Sequence, residues 1–396
     1  VKILVANLGS TSFKYRLFDL ADPAEPVLAR GSVERIGASS SPCTVHLPSG
    51  PQTREAAVPD HGVAVRMCLE QLTDPATGVL KSADEVAAIG FKAVHAKHLS
   101  GVVRVDDSVL AAMEAYSDVC PAHNPPYVKA MRLLGEKLPE IPLVAAFETD
   151  FHRTMPEASS RYAIPESWAT DLGIKRHGFH GASHRYIATR MAEILGRNDA
   201  RIVSCHLGGS SSLCAISGGQ SQGCSLGMSP QSGLPHNNRV GDFDVFALPV
   251  VLKETGMSLE SALDVLAERS GLQGICGHND LRDIEAAAET GDPASKLALG
   301  VFITDIRRYL GSFLVALGGA DAIVFTGGIG ENSKVIREGV CKNLAWFGIE
   351  LDPIKNMGAK GECLISTDSS RVQIWTAPTN EELIVARQTR DLLTSR

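Results

Sequence analysis

Ile3-Leu4-Val5-Ala6-Asn7-Leu8-Gly9-Ser10-Thr11-Ser12-Phe13-Lys14-Tyr15-Arg16-Leu17-Phe18-Asp19 is an apolar run, a small polar turn and an alternating run that begins beside Lys14. The pattern predicts strand, turn, strand. A turn of Gly, Ser, Thr and Asn presents backbone N–H and hydroxyl donors without bulk, which is what a polyphosphate requires of a protein.

The same chemistry recurs in His206-Leu207-Gly208-Gly209-Ser210-Ser211-Ser212, which runs on into an apolar strand. It recurs again where the apolar run 322–325 meets Thr326-Gly327-Gly328-Ile329-Gly330-Glu331-Asn332. One such turn is more often an ordinary hairpin; three in one chain point to phosphate. None has the G-x-x-x-x-G-K-[ST] spacing of a P-loop, and none is a G-x-G-x-x-G fingerprint opening a helix, so neither of those readings applies. The recurrence near residues 7 and 207 suggests two related halves, each beginning with a phosphate-facing hairpin.

With 396 residues the chain exceeds the size of one hydrophobic core, so two domains are expected. A net charge of −7 with interspersed signs offers no basic stripe for nucleic acid and no polybasic membrane anchor. No apolar run approaches a membrane span and the N-terminus shows no signal segment, which argues for the cytoplasm. The nine cysteines contain no C-x-x-C pair and read as small buried hydrophobes in a reducing compartment.

Strand-like runs at 87–94, 143–147 and 373–376 alternate with helical patterns at 107–116, 127–137, 183–195, 259–269, 280–289, 293–317 and 381–393, an α/β pattern. Thr379-Asn380 reads as the N-cap of the last helix. Segments 36–62 and 220–242, rich in Gly, Ser and Pro, are expected to be loops, and long loops are often functional. His177, His180 and His184 have a spacing that a metal could use on a helix, but Gly178 and Gly181 are expected to break the helix there. A structural role is the default for His177 and His184.

In order along the chain, Asn7-x-Gly-Ser10-x-Ser12-x-Lys14, Pro121-Ala122-His123-Asn124-Pro125, Phe147-Glu148-Thr149-x-Phe151-His152, Gly178-Phe179-His180-Gly181-x-Ser183-His184, His206-Leu207-Gly208, Arg239-x-Gly241-Asp242, Asp280-Leu281-Arg282, Thr326-Gly-Gly-Ile-Gly330-Glu-Asn332 and Thr379-Asn380-Glu381-Glu382 closely resemble the acetate/propionate kinase family. The resemblance covers essentially the whole chain. It implies a fold of two duplicated actin/sugar-kinase-like (ribonuclease H-like) α/β domains with a nucleotide cleft between them. These would be residues 1–149, completed by a C-terminal helix 382–396, and residues 150–381. It implies reversible transfer of the γ-phosphoryl of ATP to a short-chain carboxylate, giving an acyl phosphate and ADP, with Mg²⁺ or Mn²⁺ and commonly a homodimer.

Such a transfer is mostly positioning plus positive charge. Arg239 is the candidate for bidentate stabilisation of the transferring group; His180 and His123 are candidate donors to the same oxygens. The resemblance implies metal ligation by Asn7 and Glu381 and an essential carboxylate at Glu148, an oxygen set that suits Mg²⁺. Ser10, Ser12, Lys14, His206, Gly208, Gly209 and Ser210 would face phosphates. Asp280, Leu281, Arg282, Gly328, Ile329, Gly330 and Asn332 would flank the adenosine, with Arg282 able to stack on the purine. Lys92 would bind the acyl carboxylate, with Val94, Ala122, Phe179 and Pro230 around its tail. At Lys92 the family usually has Arg, at Glu148 Asp, at Gly209-Ser210 Asn-Gly, at Pro235-His236 a Met pair, at Asn237-Asn238 Gly-Thr, and at Ala122 Leu. The readings kept beside this one are a kinase of the same fold for another acid or another phosphoryl donor, and a weakly catalytic nucleotide-binding switch or scaffold.

Overall fold

The computed structural model describes residues 1–9, 11–121 and 123–395, so the expectations placed on Ser10 and Ala122 lie outside the described residues. The chain divides into two compact units, 1–150 with 380–396, and 151–379.

In the first unit the opening stretch is the hairpin β1 (Lys2–Leu8) and β2 (Phe13–Asp19), with Asn7 opposite Lys14. Gly9 N–H donates to the carbonyl of Ser12 at 2.9 Å and closes the turn. The sheet continues through β3 (Val27–Val33), β4 (Ser41–Leu47), β5 (Gly50–Ala56), β6 (Val86–Ala93), β7 (Val102–Arg104) and β8 (Leu143–Phe147), in the order β5-β4-β3-β2-β1-β6-β8-β7. β1, β6 and β8 are parallel; the other pairs are antiparallel. Period two sends Leu4 and Ala6 into a core with helices His61–Leu72 and Asn124–Lys137, and Ile3 and Val5 into another with Val385 and Ala386 of the C-terminal helix Glu381–Thr394. Covered on both faces, β1 reads as one continuous apolar run. Gly90 lets that helix approach β6, because a Cβ there would lie 2.5 Å from Thr389 Oγ1.

The second unit repeats the plan with β9 (Arg201–His206), β10 (Ser212–Ser217), β11 (Gln220–Cys224), β12 (Ala322–Thr326), β13 (Cys363–Leu364) and β14 (Gln373–Thr376), in the order β11-β10-β9-β12-β14-β13. Here too antiparallel strands, two in place of four, flank one side of a parallel trio, β9, β12 and β14, and a short antiparallel strand closes the other. The duplicated α/β architecture is therefore explicit in the two sheets.

Three expectations change. Segment 36–62 is no loop: it holds the β4–β5 hairpin, with Cys43, Val45 and Leu47 pointing inward and nearly all of β5 exposed. Segment 220–242 begins with strand β11 and is irregular only beyond it. Gly181 does not break a helix but is the first residue of helix Gly181–Leu195, whose N-cap His180 takes the left-handed conformation at φ 55°.

Among the described residues no helix is long and apolar enough to cross a membrane. All nine cysteines are free, and seven of them are buried.

Candidate active site

The first unit gathers oxygen donors around one cation. Lys92, near the end of β6, places Nζ 2.6 Å from Glu381 Oε2 in the first turn of the C-terminal helix. Asn380, the N-cap of that helix, accepts from Leu383 N–H and fixes where the turn begins. Burial alone would depress the Lys92 ammonium, but the Glu381 and then the Glu148 carboxylates outweigh it and hold the pKa well above the ordinary lysine range. Glu148 directly follows β8 and is buried. Its backbone N–H donates to the carbonyl of Ala93 at 2.8 Å, beside Lys92.

Asn7 is positioned by a residue that sequence reasoning missed: Tyr127 O–H donates to Asn7 Oδ1 at 3.1 Å and accepts from Leu8 N–H at 3.3 Å. Tyr127 sits at period-correct spacing on an amphipathic helix, and nothing local distinguishes it from a core tyrosine. Asn7 and the exposed Lys14 line a cavity of about 250 Å³. Val94 is half-buried just after β6, and His123 is the N-cap of helix Asn124–Lys137, which carries Pro in its first turn. Ser12 is half-buried in the hairpin turn.

The second unit holds a hydrogen-bonded imidazole array. Ser212 Oγ lies 2.8 Å from His180 Nδ1 and 2.9 Å from His184 Nε2, and His184 Nδ1 is 2.9 Å from Ser204 Oγ. The His180 and His206 rings stack at 4.3 Å, and His206 Nδ1 meets Ser183 Oγ at 2.8 Å. Burial, then His152 and His206, keeps His184 neutral by pulling its pKa well below the ordinary value. Ser212 has a single proton, so it donates to one imidazole and accepts N–H from the other. When it donates to His180 Nδ1, a neutral His180 carries its proton on Nε2 and can itself donate from there. His184, assigned a structural role by default, is thus coupled to His180 through Ser212. His177 packs locally, its Nε2 3.0 Å from the carbonyl of Gly173.

Arg239 donates from Nη1 to the carbonyl of the buried Pro230 at 2.8 Å, which aims its guanidinium. Its loop is tied to the second glycine turn. His236 Nδ1 accepts from Ser211 N–H at 3.0 Å, and Asn237 N–H donates to the carbonyl of Gly209 at 3.1 Å. Burial, and then the Arg239 charge, push His236 down to about 3, so it stays an acceptor. Asn237 Oδ1 is buried without a hydrogen-bond partner among the described residues, as is Thr326 Oγ1 at the start of the third turn. Orphaned buried oxygens at glycine turns are what a bound ligand with donors would satisfy.

The third turn is not a loop but the short helix Gly327–Asn332, entered through Gly327 at φ 77°, where any Cβ would strike the carbonyl of Leu207. Ile329 and Gly330 N–H both donate to that carbonyl, at 2.9 and 3.1 Å, so the second and third turns lie side by side. Gly328 and Asn332 are exposed, with Asn332 Nδ2 on the Gly328 carbonyl at 2.8 Å. Sequence reasoning also missed Arg337. It is only 1% exposed and donates to the carbonyls of Gly330 (2.9 Å) and Glu331 (2.8 Å), so it fastens this turn from behind.

Asp280 caps helix Leu281–Glu289 and pairs with the largely exposed Arg282 at 2.5 Å. Leu281 corrects its expectation: its side chain is buried in the core of the second unit. Phe179 is likewise buried, its carbonyl 2.8 Å from His152 Nε2. Gly208 and Ser210 are half-buried and Gly209 is exposed in the second turn, with His206 at its base.

The two sheets define a duplicated α/β fold, and the similarity of the chain to known proteins gives its class, a carboxylate kinase. The structure is similar to that of Porphyromonas gingivalis acetate kinase, with a TM-score of 0.89, 37% identity and coverage of 99% of this chain and 100% of that one. It is also similar to a propionate kinase from Francisella tularensis, with a TM-score of 0.88, 32% identity and 98% of each chain covered. In sequence it is 41% identical over 400 residues to acetate kinase of Carboxydothermus hydrogenoformans, with all of both chains covered. The Acetokinase family matches residues 2–387, and the chain belongs to that family.

Proposed function

We propose that this chain transfers the γ-phosphoryl group of ATP reversibly to the carboxylate of a short-chain acid, acetate or a slightly larger acid such as propionate, releasing ADP. The observation that carries the reading is the aimed, always-charged Arg239 on a loop fastened to the Gly208–Gly209 turn. A carboxylate oxygen attacks the γ-phosphorus, the bond to the β,γ-bridging oxygen breaks, and the negative charge left on that oxygen departs with ADP. Arg239 binds equatorial oxygens as charge redistributes, and His180 donates from Nε2, with Ser212 and His184 setting its tautomer. His123 is assigned to the same oxygens. Ser12, Lys14, His206, Gly208, Gly209 and Ser210 receive the phosphates. Asp280, Arg282, Gly328, Ile329, Gly330 and Asn332, with the Leu281 backbone, flank the adenosine.

The donor set fits a divalent cation. Asn7, Glu148 and Glu381 supply hard oxygens in one unit, and two carboxylates against one ammonium leave a net negative charge. Mg²⁺, or Mn²⁺, bound by Asn7 and Glu381 would neutralise phosphate charge. Lys92 holds the acid as a point charge, without the fork an arginine would provide. Val94, Phe179 and Pro230 are assigned to its tail.

The test is kcat/KM with ATP and Mg²⁺ for acetate, propionate, butyrate and lactate, reading acyl phosphate as hydroxamate. Propionate, lactate or butyrate is expected to compete well with acetate, because Ala122 stands where the family usually has the larger Leu and a methylene is worth about 1–3 kcal/mol in such a pocket. Strict acetate preference overturns the larger-acid reading, and nucleotide binding without turnover on any acid overturns the enzyme reading.

A homodimer is part of the proposal. Helices Leu248–Thr255 and Leu259–Glu268 bury a single residue between them, Ala262, while Phe246 (82%), Val245 (65%) and Val250 (60%) are exposed. That apolar face suits a second copy of the chain. A dimer in light scattering that Phe246→Glu dissociates is the expected result, and a wild-type monomer overturns it.

A further inference from the structure

A second cavity, of about 910 Å³, lies at the C-terminal end of helix Pro293–Ala316, and none of its lining residues has a part in the proposed reaction. Its volume falls in the range of small-molecule sites. Leu310, Leu314, Leu344, Phe347 and Val372 supply apolar lining, with Leu310 only 1% exposed.

The charge of the lining is unusual for this molecule. The chain carries −7 overall, yet four arginines, Arg201, Arg307, Arg308 and Arg371, face the cavity with one carboxylate, Asp321. That carboxylate is already taken, accepting from Arg201 N–H at 2.7 Å and pairing with Arg197 at 3.5 Å and the Arg201 guanidinium at 3.7 Å, while Arg308 pairs with Asp305 at 2.6 Å. Arg307 and Arg371 form no ion pair among the described residues. Arg307 is held instead by carbonyls, donating to those of Val340 and Lys342 at 2.7 Å each. Arg201, besides its pair with Asp321, donates to the Gly318 carbonyl at 2.9 Å. Arg371 packs over the backbone at Gly348, where any Cβ would collide with its Nε. Carbonyls and a glycine orient Arg307 and Arg371 without cancelling their charge, so these two remain available to an anion.

The geometry points to a binding site for a small amphipathic organic anion, a phosphate, sulfonate or carboxylate on an aromatic or branched apolar body. The acidic group would meet Arg371 and Arg307, and the body would cover Leu310, Leu314 and Phe347. An inorganic ion would satisfy the arginines and leave the apolar lining wet.

The test is fluorescence titration of the full chain with 8-anilinonaphthalene-1-sulfonate, in excess Mg–ADP to fill the nucleotide site, with inorganic phosphate as competitor. The expected result is one saturable dye site whose Kd rises about tenfold or more in Arg371→Glu and in Leu314→Trp, with phosphate competing only weakly and kcat unchanged. If Leu314→Trp does not fold, Arg371→Glu at its exposed position decides. Dye affinity unchanged in Arg371→Glu overturns the proposal, as does a site lost in Phe246→Glu instead.

Discussion

Lys92 on β6 and Glu381 at the start of the C-terminal helix, 289 residues apart in sequence, meet with Nζ 2.6 Å from Oε2. The contact joins the residue proposed to hold the acid to one proposed to hold the metal. Removing either partner leaves a half-buried charge unbalanced, so both variants should lose more than a surface ion pair is worth. Lys92→Met is expected to lower kcat/KM for the acid by about 10²-fold or more, while Lys92→Arg retains activity. Steady-state assays at saturating ATP check this; Lys92→Met with unaltered kcat/KM would remove Lys92 from the site.

Arg239→Ala is expected to lower kcat by about 10³-fold, in the range seen when a charge-stabilising arginine is removed from phosphoryl transfer. ADP affinity, measured by calorimetry, should change little, because the guanidinium is assigned to the transferring group. Full hydroxamate-detected turnover in this variant would refute the assignment.

Ser212→Ala removes the hydroxyl that joins His180 to His184. A loss of about 10²-fold in kcat is expected, with KM for ATP nearly unchanged and an altered pH–rate profile, since the bridge selects the His180 tautomer. A purely structural serine would change stability and leave the profile in place.

Arg337→Met should destabilise the second unit by about 3 kcal/mol, because it strips charged hydrogen bonds from the carbonyls of Gly330 and Glu331. Denaturant unfolding measures it. A change within about 0.5 kcal/mol, the usual scatter of surface substitutions, would mean the turn holds itself.

Acid sensitivity follows from the buried imidazoles. Burial lowers His152 to about 4 and, with Arg239, His236 to about 3. An unfolded histidine titrates near 6.5, so below about that pH the unfolded chain binds protons that the folded chain excludes. Their contribution is fully present above about pH 6.5 and is lost as pH falls toward the folded values, at about 1.4 kcal/mol per pH unit for each histidine. His236→Gln should reduce the slope of unfolding free energy between about pH 4 and 6 by one proton. An unchanged slope would show His236 protonated in the folded protein.

Legibility followed locality. The β1–β2 and β9–β10 turns, the N-cap Asn380 and the long helix Pro293–Ala316 were readable because turn chemistry and period act within a few residues. The β4–β5 hairpin was not read as strands, although Cys43, Val45 and Leu47 alternate, because β5 is almost wholly exposed and carries no apolar pattern. The ordered collinear motifs also made the family legible, since most of the proposed site residues lie in short motifs at strand ends, turns and helix starts.

What the residue order could not reveal is which turns become neighbours and what stands behind them. Tyr127 under Asn7, His184 beneath His180, Arg337 behind the third turn and Glu381 against Lys92 are partners 4 to 289 residues apart, selected by strand order and helix packing. A side chain's type is written locally, and so is its tendency to turn or pair. Its partner, and with it its charge state and aim, exists only once burial brings distant segments together and strips the water from between them.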